Sequence, residues 1–344
     1  MVMMMEWSHW RKTAKKVSPY VYIVLAQVIA ATYAVMSKLV FTGGTDPVVF
    51  NVYQFIAASL FMGPLAFFFE RKSRPPLTLS ITCWIFFQAL LGATLFQTLF
   101  SESLSYISST AQSAIINLFP AFTYVLSVIL RQERAELNRV RGVGKLLGTA
   151  VSVTGALTLI FWKNGSVRAT VVSSLGSVNI GYAIATLGVL SLSTWLVLQG
   201  PVMTRYPAEL SIVAMMYMFA TLQTAAIAAF TSREPSKWKL NFDLELINIL
   251  FGGILNSGIG IYIFSWCAGK KGPLFTAVFA PLNLLLTAVM EIAIVGDKLS
   301  VGSLVGSVMI VGGLYLFLWS KSKEETTQDM EDKDLVIPFL MENP

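Results

Sequence analysis

The chain has 344 residues, 55% of them hydrophobic and 13% charged, and a mean hydropathy of +0.67. A soluble domain carries about 25% charged residues, so this composition excludes an ordinary soluble fold and points to a membrane protein. The net charge of +6 does not make a nucleic-acid surface, because the Lys and Arg residues stand at the ends of apolar runs.

Taken in chain order, the Met-rich start carries Arg11, Lys12, Lys15 and Lys16 and lacks the short apolar core and cleavage site of a signal peptide. The first helix therefore reads as an uncleaved signal-anchor. Apolar runs of about twenty residues, enough to cross roughly 30 Å of hydrocarbon, predict helices at 19–41, 47–69, 79–100, 108–130, 143–162, 179–203, 208–230, 243–267, 273–295 and 300–320. With the N-terminus in the cytoplasm, 18 of the 25 Lys and Arg residues fall on inner segments and six on outer loops. That bias places both termini inside and requires an even number of spans, which ten satisfies. Residues 1–18 form a cytoplasmic tail. The stretch 323–344, acidic and without apolar periodicity, reads as a disordered cytoplasmic segment.

The chain repeats itself. The fifth run reads Leu146-Leu147-Gly148-Thr149-Ala150 on to Gly155, and the tenth reads Leu304-Val305-Gly306-Ser307-Val308 on to Gly313. Upstream stand Phe119-Pro120 in the fourth run and Ala280-Pro281 in the ninth, with Glu133 and Asp297 at the two exits. The expected fold is thus an all-α integral membrane protein of ten transmembrane helices in two five-helix halves, 19–163 and 179–322, joined by an outer linker, 164–178. Five is odd, so the second half is inverted, as in many secondary transporters that alternate access around a midplane site. The glycines themselves read as close helix packing.

Function classes narrow accordingly. No phosphate-binding loop motif is present, which argues against ATP-driven pumping. A single histidine, His9, and two cysteines inside apolar runs, Cys83 and Cys267, give no material for an intramembrane catalytic pair, a metal centre or a disulfide framework. The chain reads as no enzyme and implies no cofactor. A non-transport receptor or scaffold stays open beside the carrier reading.

The stretch Thr110-Ala111-Gln112-Ser113-Ala114-Ile115-Ile116-Asn117-Leu118-Phe119-Pro120 resembles the fourth-helix motif of the plant Walls-Are-Thin-related transporters, the nodulin-like EamA or UmamiT proteins of the drug/metabolite transporter superfamily. Gln27 and Lys38, Gly272-Pro273-Leu274-Phe275 and Leu318-Trp319-Ser320-Lys321 match the same family, and the similarity covers about 19–322. It implies two EamA repeats and passage of amino acids, auxin or related small organic acids across the plasma membrane or the vacuolar membrane. Other specialised-metabolite or nucleotide-type anions are the alternative, but they call for several cavity cations, where Lys38 stands alone. The sequence departs from the family on the second helix, where a tyrosine–arginine pair reads Tyr53-Gln54.

Polar residues at bilayer depth are costly and mark cavities or partners. The amides Gln27, Gln97, Asn117, Gln199, Asn256 and Asn283, with Lys38, form the candidate substrate set, since amides hydrogen-bond a solute without the cost of burying charge. Some amides would instead bridge helices, and Lys38 would equally snorkel to the interface. Glu291 is the proton-coupling candidate, its alternative being a paired carboxylate. Pro120 and Pro281 are expected to kink their helices and free a carbonyl one turn earlier.

Overall fold

The computed structural model describes residues 2–103, 106–107, 115–132, 140–164, 175–240, 243–295 and 305–321. Every regular element among them is helical. We label them α1 (Val2–Thr42), α2 (Pro47–Glu70), α3 (Leu79–Ser103), α4 (Phe119–Ile129), α5 (Val140–Asn164), α6 (Leu175–Arg205), α7 (Glu209–Thr231), α8 (Leu244–Lys271), α9 (Pro273–Val278, resuming as Ala280–Val295) and α10 (Val305–Lys321). Seven are long and apolar enough to cross a membrane: α1 from Ser18, α2, α3, α6, α7, α8 and α9. α4 and α10 are shorter apolar helices. The expected tail 323–344, Glu133 and Asp297 lie outside the described residues.

Local chemistry sets the helix ends. Asp46 caps α2 by accepting from the Val48 and Val49 amides, and Pro47 follows at the first helical position, where no N–H is needed. Thr78 and Asp243 cap α3 and α8 in the same way. Gly272, at φ 91°, makes the turn into α9 that a Cβ would strain, and Pro273 starts the next helix. Within the apolar helices, hydroxyls such as Thr149, Ser193 and Thr221 donate to the carbonyl four residues back, so they need no partner from lipid. α1 is helical from Val2, not only from residue 19, because nothing before Pro19 breaks a helix.

α2 packs along nearly its whole length against α7. Ala58, Met62 and Ala66 lie against Ile212, Met216 and Ala220, and Phe55 tilts over Tyr217 with ring centroids 5.3 Å apart. The small residues let the backbones approach. Each end of the pair is tied by a carboxylate. Ala208 offers α7 no side-chain cap, and the Glu70 oxygens on α2 accept from Leu210 N at 2.9 Å and Ser211 N at 2.7 Å instead. At the opposite end Asp46 Oδ2 accepts from Ser232 Oγ at 2.9 Å and faces Lys237 Nζ at 3.4 Å. Trp238 closes this end, its carbonyl accepting from Tyr53 Oη and its indole donating to Ser232 O.

α5 and α10 meet backbone to backbone. A Cβ on Gly148 would fall 2.8 Å from Gly313 O, and one on Gly155 2.9 Å from Gly306 O. Ser152 Oγ donates to Ile310 O across the same seam. The four glycines that repeat in the sequence are thus the packing surface.

Two outcomes are expected. Gly313→Ala places a methyl on the Gly148 carbonyl and costs about 1–3 kcal/mol, whereas Gly312→Ala, where a Cβ meets nothing within 4 Å, is neutral or slightly stabilising; thermal melts in detergent separate the neighbours. Burial pushes the Asp46 carboxyl up, but Ser232, the Val49 and Val48 amides and Lys237 outweigh it and hold it below the usual carboxylate range. Its contribution is therefore complete above the unfolded-state value and is lost as pH falls through the depressed one. Asp46→Asn should melt earlier than the parent near neutrality, and the gap should close in acid.

Candidate functional site

The two halves repeat the same departures from regular helix. α3 carries a π segment at Leu90–Leu95 and α8 one at Gly252–Gly260. The π segment of α3 lies against α6 and α7, and that of α8 lies against α1 and α2. Each is seated on a large ring through a glycine. A Cβ on Gly92 would enter the Trp195 indole, and one on Gly252 would come within 2.5 Å of the Tyr33 ring. Trp195 follows Tyr33 by 162 positions and Gly252 follows Gly92 by 160. The chain also breaks at matched points ahead of α4 and within α9. Leu118 has φ −78°, ψ −8° and Phe279 φ −77°, ψ −8°. Pro120 and Pro281 follow two residues after these breaks, both buried. Each stands at the second position of the helix that restarts, where a missing N–H costs no intrahelical bond.

Buried polar side chains gather beside these irregularities. Tyr33 Oη on α1 donates to Gln54 Oε1 on α2 at 2.6 Å, and Gln54 Nε2 donates to Ser257 Oγ on α8 at 2.8 Å. One turn along α1, Ser37 Oγ accepts from Asn248 Nδ2 at 3.1 Å. At the corresponding seam of the other half, Gln199 Nε2 donates to Gln88 Oε1 at 2.9 Å, with both residues fully buried. There Met216 stands 162 positions after Gln54, and Trp195 replaces the tyrosine. Trp195 Nε1, Gln88 Nε2 and Gln199 Oε1 lack partners among the described residues. A further tie runs from Thr94 Oγ1 to Gln223 Oε1 at 2.7 Å, and Gln223 Nε2 reaches Phe86 O.

The predicted residues separate against this background. Gln27 is 2% exposed, and its main-chain carbonyl accepts from Asn283 Nδ2 on α9 at 3.4 Å. Its side-chain Nε2 is buried without a partner among the described residues. Asn117 is buried at the break before α4, while Gln97 and Asn256 are half-buried, Asn256 within the π segment of α8. Gln199 is drawn into the pair with Gln88. Lys38 is exposed near the Thr42 end of α1. Glu291 lies on α9, and its side chain is outside the described residues. No group of three or more His, Cys, Asp or Glu side chains able to hold a metal occurs among the described residues.

A model of the EamA-like transporter family matches the chain twice, over residues 17–161 and 179–319. The chain is 37% identical over 342 residues to a WAT1-related protein of Arabidopsis thaliana, spanning 96% of this chain and 89% of that relative. It is 33% identical over 336 residues to the Arabidopsis protein WALLS ARE THIN 1, spanning 92% and 86%. The chain belongs to the EamA-like transporter family, in its WAT1-related group. This EamA protein is also 34% identical to an auxin-induced protein of Pinus taeda, over 90% of its own length and 80% of that relative's. A solved crystal structure shares the EamA chain's fold at a TM-score of 0.67 with 19% identity, covering 87% of this chain and 97% of the other.

The polar residues that sequence reading missed are Tyr33, Ser37, Gln88, Asn248 and Ser257. One signal was available: Gln54 is an amide in the middle of an apolar run, where a polar side chain needs a partner. An amide there accepts from a tyrosine and donates to a serine at once. Tyr33 and Ser37, four apart, also share a helix face.

Removing Gln54 should therefore loosen its neighbours. Gln54→Met, which copies the other half's Met216, takes one partner from Tyr33 Oη and one from Ser257 Oγ, leaving them Ser37 and Tyr217, at about 0.5–1.5 kcal/mol for each bond lost. Tyr33→Phe added to it should cost less than in the parent, because the Tyr33–Gln54 bond is already gone. A double-mutant cycle of thermal midpoints reads this coupling, and strict additivity would contradict the bridge.

Proposed function

We propose that this chain is a secondary transporter or facilitator, of exporter type, that moves amino acids or auxin-like small organic acids across a membrane by alternating access. The proposal includes ten spans in two inverted five-helix repeats, both termini in the cytoplasm, and a plasma-membrane or vacuolar location. It includes no chemical catalysis. The observation that carries it is the Gln27 side-chain amide: buried and without a partner among the described residues, on the turn of α1 whose main-chain carbonyl is held by Asn283 of the interrupted helix α9. A buried donor left open is costly unless a guest accepts from it. A carboxylate or carbonyl oxygen of a small acid is such a guest, with Asn283 adding a second donor. Asn117, buried at the matched break before α4, is the polar candidate from the first half. The matched π segments and breaks support two related conformations, because such segments yield more readily than regular helix. The name of the Pinus taeda relative, auxin-induced, is in keeping with an auxin-like solute.

In this reading Gln27, Asn283 and Asn117 hold the solute. Gln97 and Asn256 line its path, and Lys38 attracts its carboxylate at the mouth. Gln199 keeps the α3–α6 seam closed through Gln88. Glu291 is the proton-coupling carboxylate.

Counterflow in proteoliposomes, with labelled amino acids and indole-3-acetic acid and with or without a pH gradient, tests the proposal. Exchange of one class should appear and should fall about 10- to 100-fold in Gln27→Leu, the value of a hydrogen bond to a charged group. Glu291→Gln should flatten the pH dependence, and an unchanged profile removes its coupling role. Silence across the panel from protein that melts cooperatively would overturn the substrate assignment.

A further inference from the structure

The long α2–α7 contact does not close evenly on its outer flank. A groove with a cavity volume of about 480 Å³ runs along it, floored by Gly63, Ala66 and Ala214, walled by Phe67 and Met218, and ending at Arg74. The wall residues are nearly half exposed, Phe67 at 45% and Met218 at 48%, so the groove opens toward the surrounding bilayer. A Cβ on Gly63 would meet nothing within 4 Å, so the floor is open along α2. From Ser59 to Phe67 it extends about 12 Å at roughly 1.5 Å per residue, close to the ~15 Å depth of one leaflet's hydrocarbon. Its width and lining suit a hydrocarbon chain.

The mouth is chemically different. Arg71, Lys72 and Arg74 follow the end of α2, all exposed. The Arg71 guanidinium sits 4.8 Å from the centroid of the Phe67 ring, which holds its charge over the end of the groove. Glu70, the acidic neighbour, is occupied by the Leu210 and Ser211 amides, and no ion pair of Arg71 or Arg74 occurs among the described residues. Guanidinium groups match phosphate oxygens two at a time. An apolar slot one leaflet deep, ending on two arginines at the level where headgroups lie, has the two-part chemistry of a phospholipid.

We propose that this groove binds an anionic phospholipid, with one acyl chain lying between α2 and α7 and the headgroup phosphate held by Arg74 and Arg71. The orientation set by the basic residues makes it a lipid of the cytoplasmic leaflet. The site does not depend on what the protein carries. A lipid there would lie across the contact that joins the two halves and would tighten it.

Native mass spectrometry of the full chain, released from nanodiscs holding equal phosphatidylserine and phosphatidylcholine, tests the site. The wild-type protein should retain phosphatidylserine in preference. Arg74→Ala should lower that retention about fivefold, as expected for one basic residue at an anionic surface, and lower phosphatidylcholine, whose choline cation offsets the same phosphate, by less. Gly63→Trp, which fills the slot where the backbone has room, should lower retention of both. Equal retention of the two lipids by the wild type overturns the proposal, as does phosphatidylserine retention that ignores Arg74→Ala. Loss with Arg74→Ala alone, Gly63→Trp being silent, overturns the acyl groove. Cooperative melting of both variants shows that each result comes from folded protein.

Discussion

Hydrocarbon offers no hydrogen bonds, so each polar group carried into the bilayer must be answered from within the protein. That constraint makes every regular element among the described residues a helix. It also turns serine and threonine hydroxyls back onto their own helices. Where an amide or phenol cannot be satisfied locally, it must reach another helix, and this selects which helices touch. Gln54 fixes α1 and α8 against α2, and Gln88 fixes α6 against α3. Two carboxylates do the same work at the ends of α2 and α7, where helix termini present open N–H groups.

Duplication then multiplies each solution. The π segments of α3 and α8, the glycine seats under Trp195 and Tyr33, and the breaks at Leu118 and Phe279 recur at intervals of 160 to 162 positions. Copied backbone geometry with diverged side chains is the pattern expected when packing is held by the fold and polarity is free to change. The α5–α10 seam is the part least free to change, since its glycines leave room for nothing but backbone.

Much of this architecture was legible in the sequence. Apolar runs, glycine spacing and the Phe119-Pro120 and Ala280-Pro281 steps are local patterns, and most of the apolar helices and the glycine seam follow from them. The boundary of the fourth helix shows where local reading ends. The apolar run suggested 108–130, but the turn at Asn117 and Leu118 restarts the helix at Phe119, and no propensity marks that spot. Pairings are harder still. Gln199 looks like a cavity residue by depth and polarity, yet whether it faces solute or Gln88 depends on a helix about a hundred residues away. Gln27 and Asn283 come together for the same unreadable reason, the approach of α1 to α9. For Tyr33 and Ser37, shared helical spacing said only that they lie on one face, not that Asn248 waits opposite.

The exchange of Tyr33 and Gln54 for Trp195 and Met216 has an energetic consequence. A perfectly copied pair of halves could swap conformations and return a mirror image of equal free energy, so that each would occupy half of the molecules at rest. Here one seam is knitted by a phenol, an amide and a serine and leaves one unanswered atom, Asn248 Oδ1, while its counterpart leaves an indole N–H and two amide atoms without partners among the described residues. Each unmatched polar atom weighs on the order of 1 kcal/mol, and opening the knitted seam costs more than opening the other. If the proposed alternating access holds, the resting population is lopsided by roughly tenfold for each 1.4 kcal/mol of difference, and a solute meets a vessel that already leans to one side.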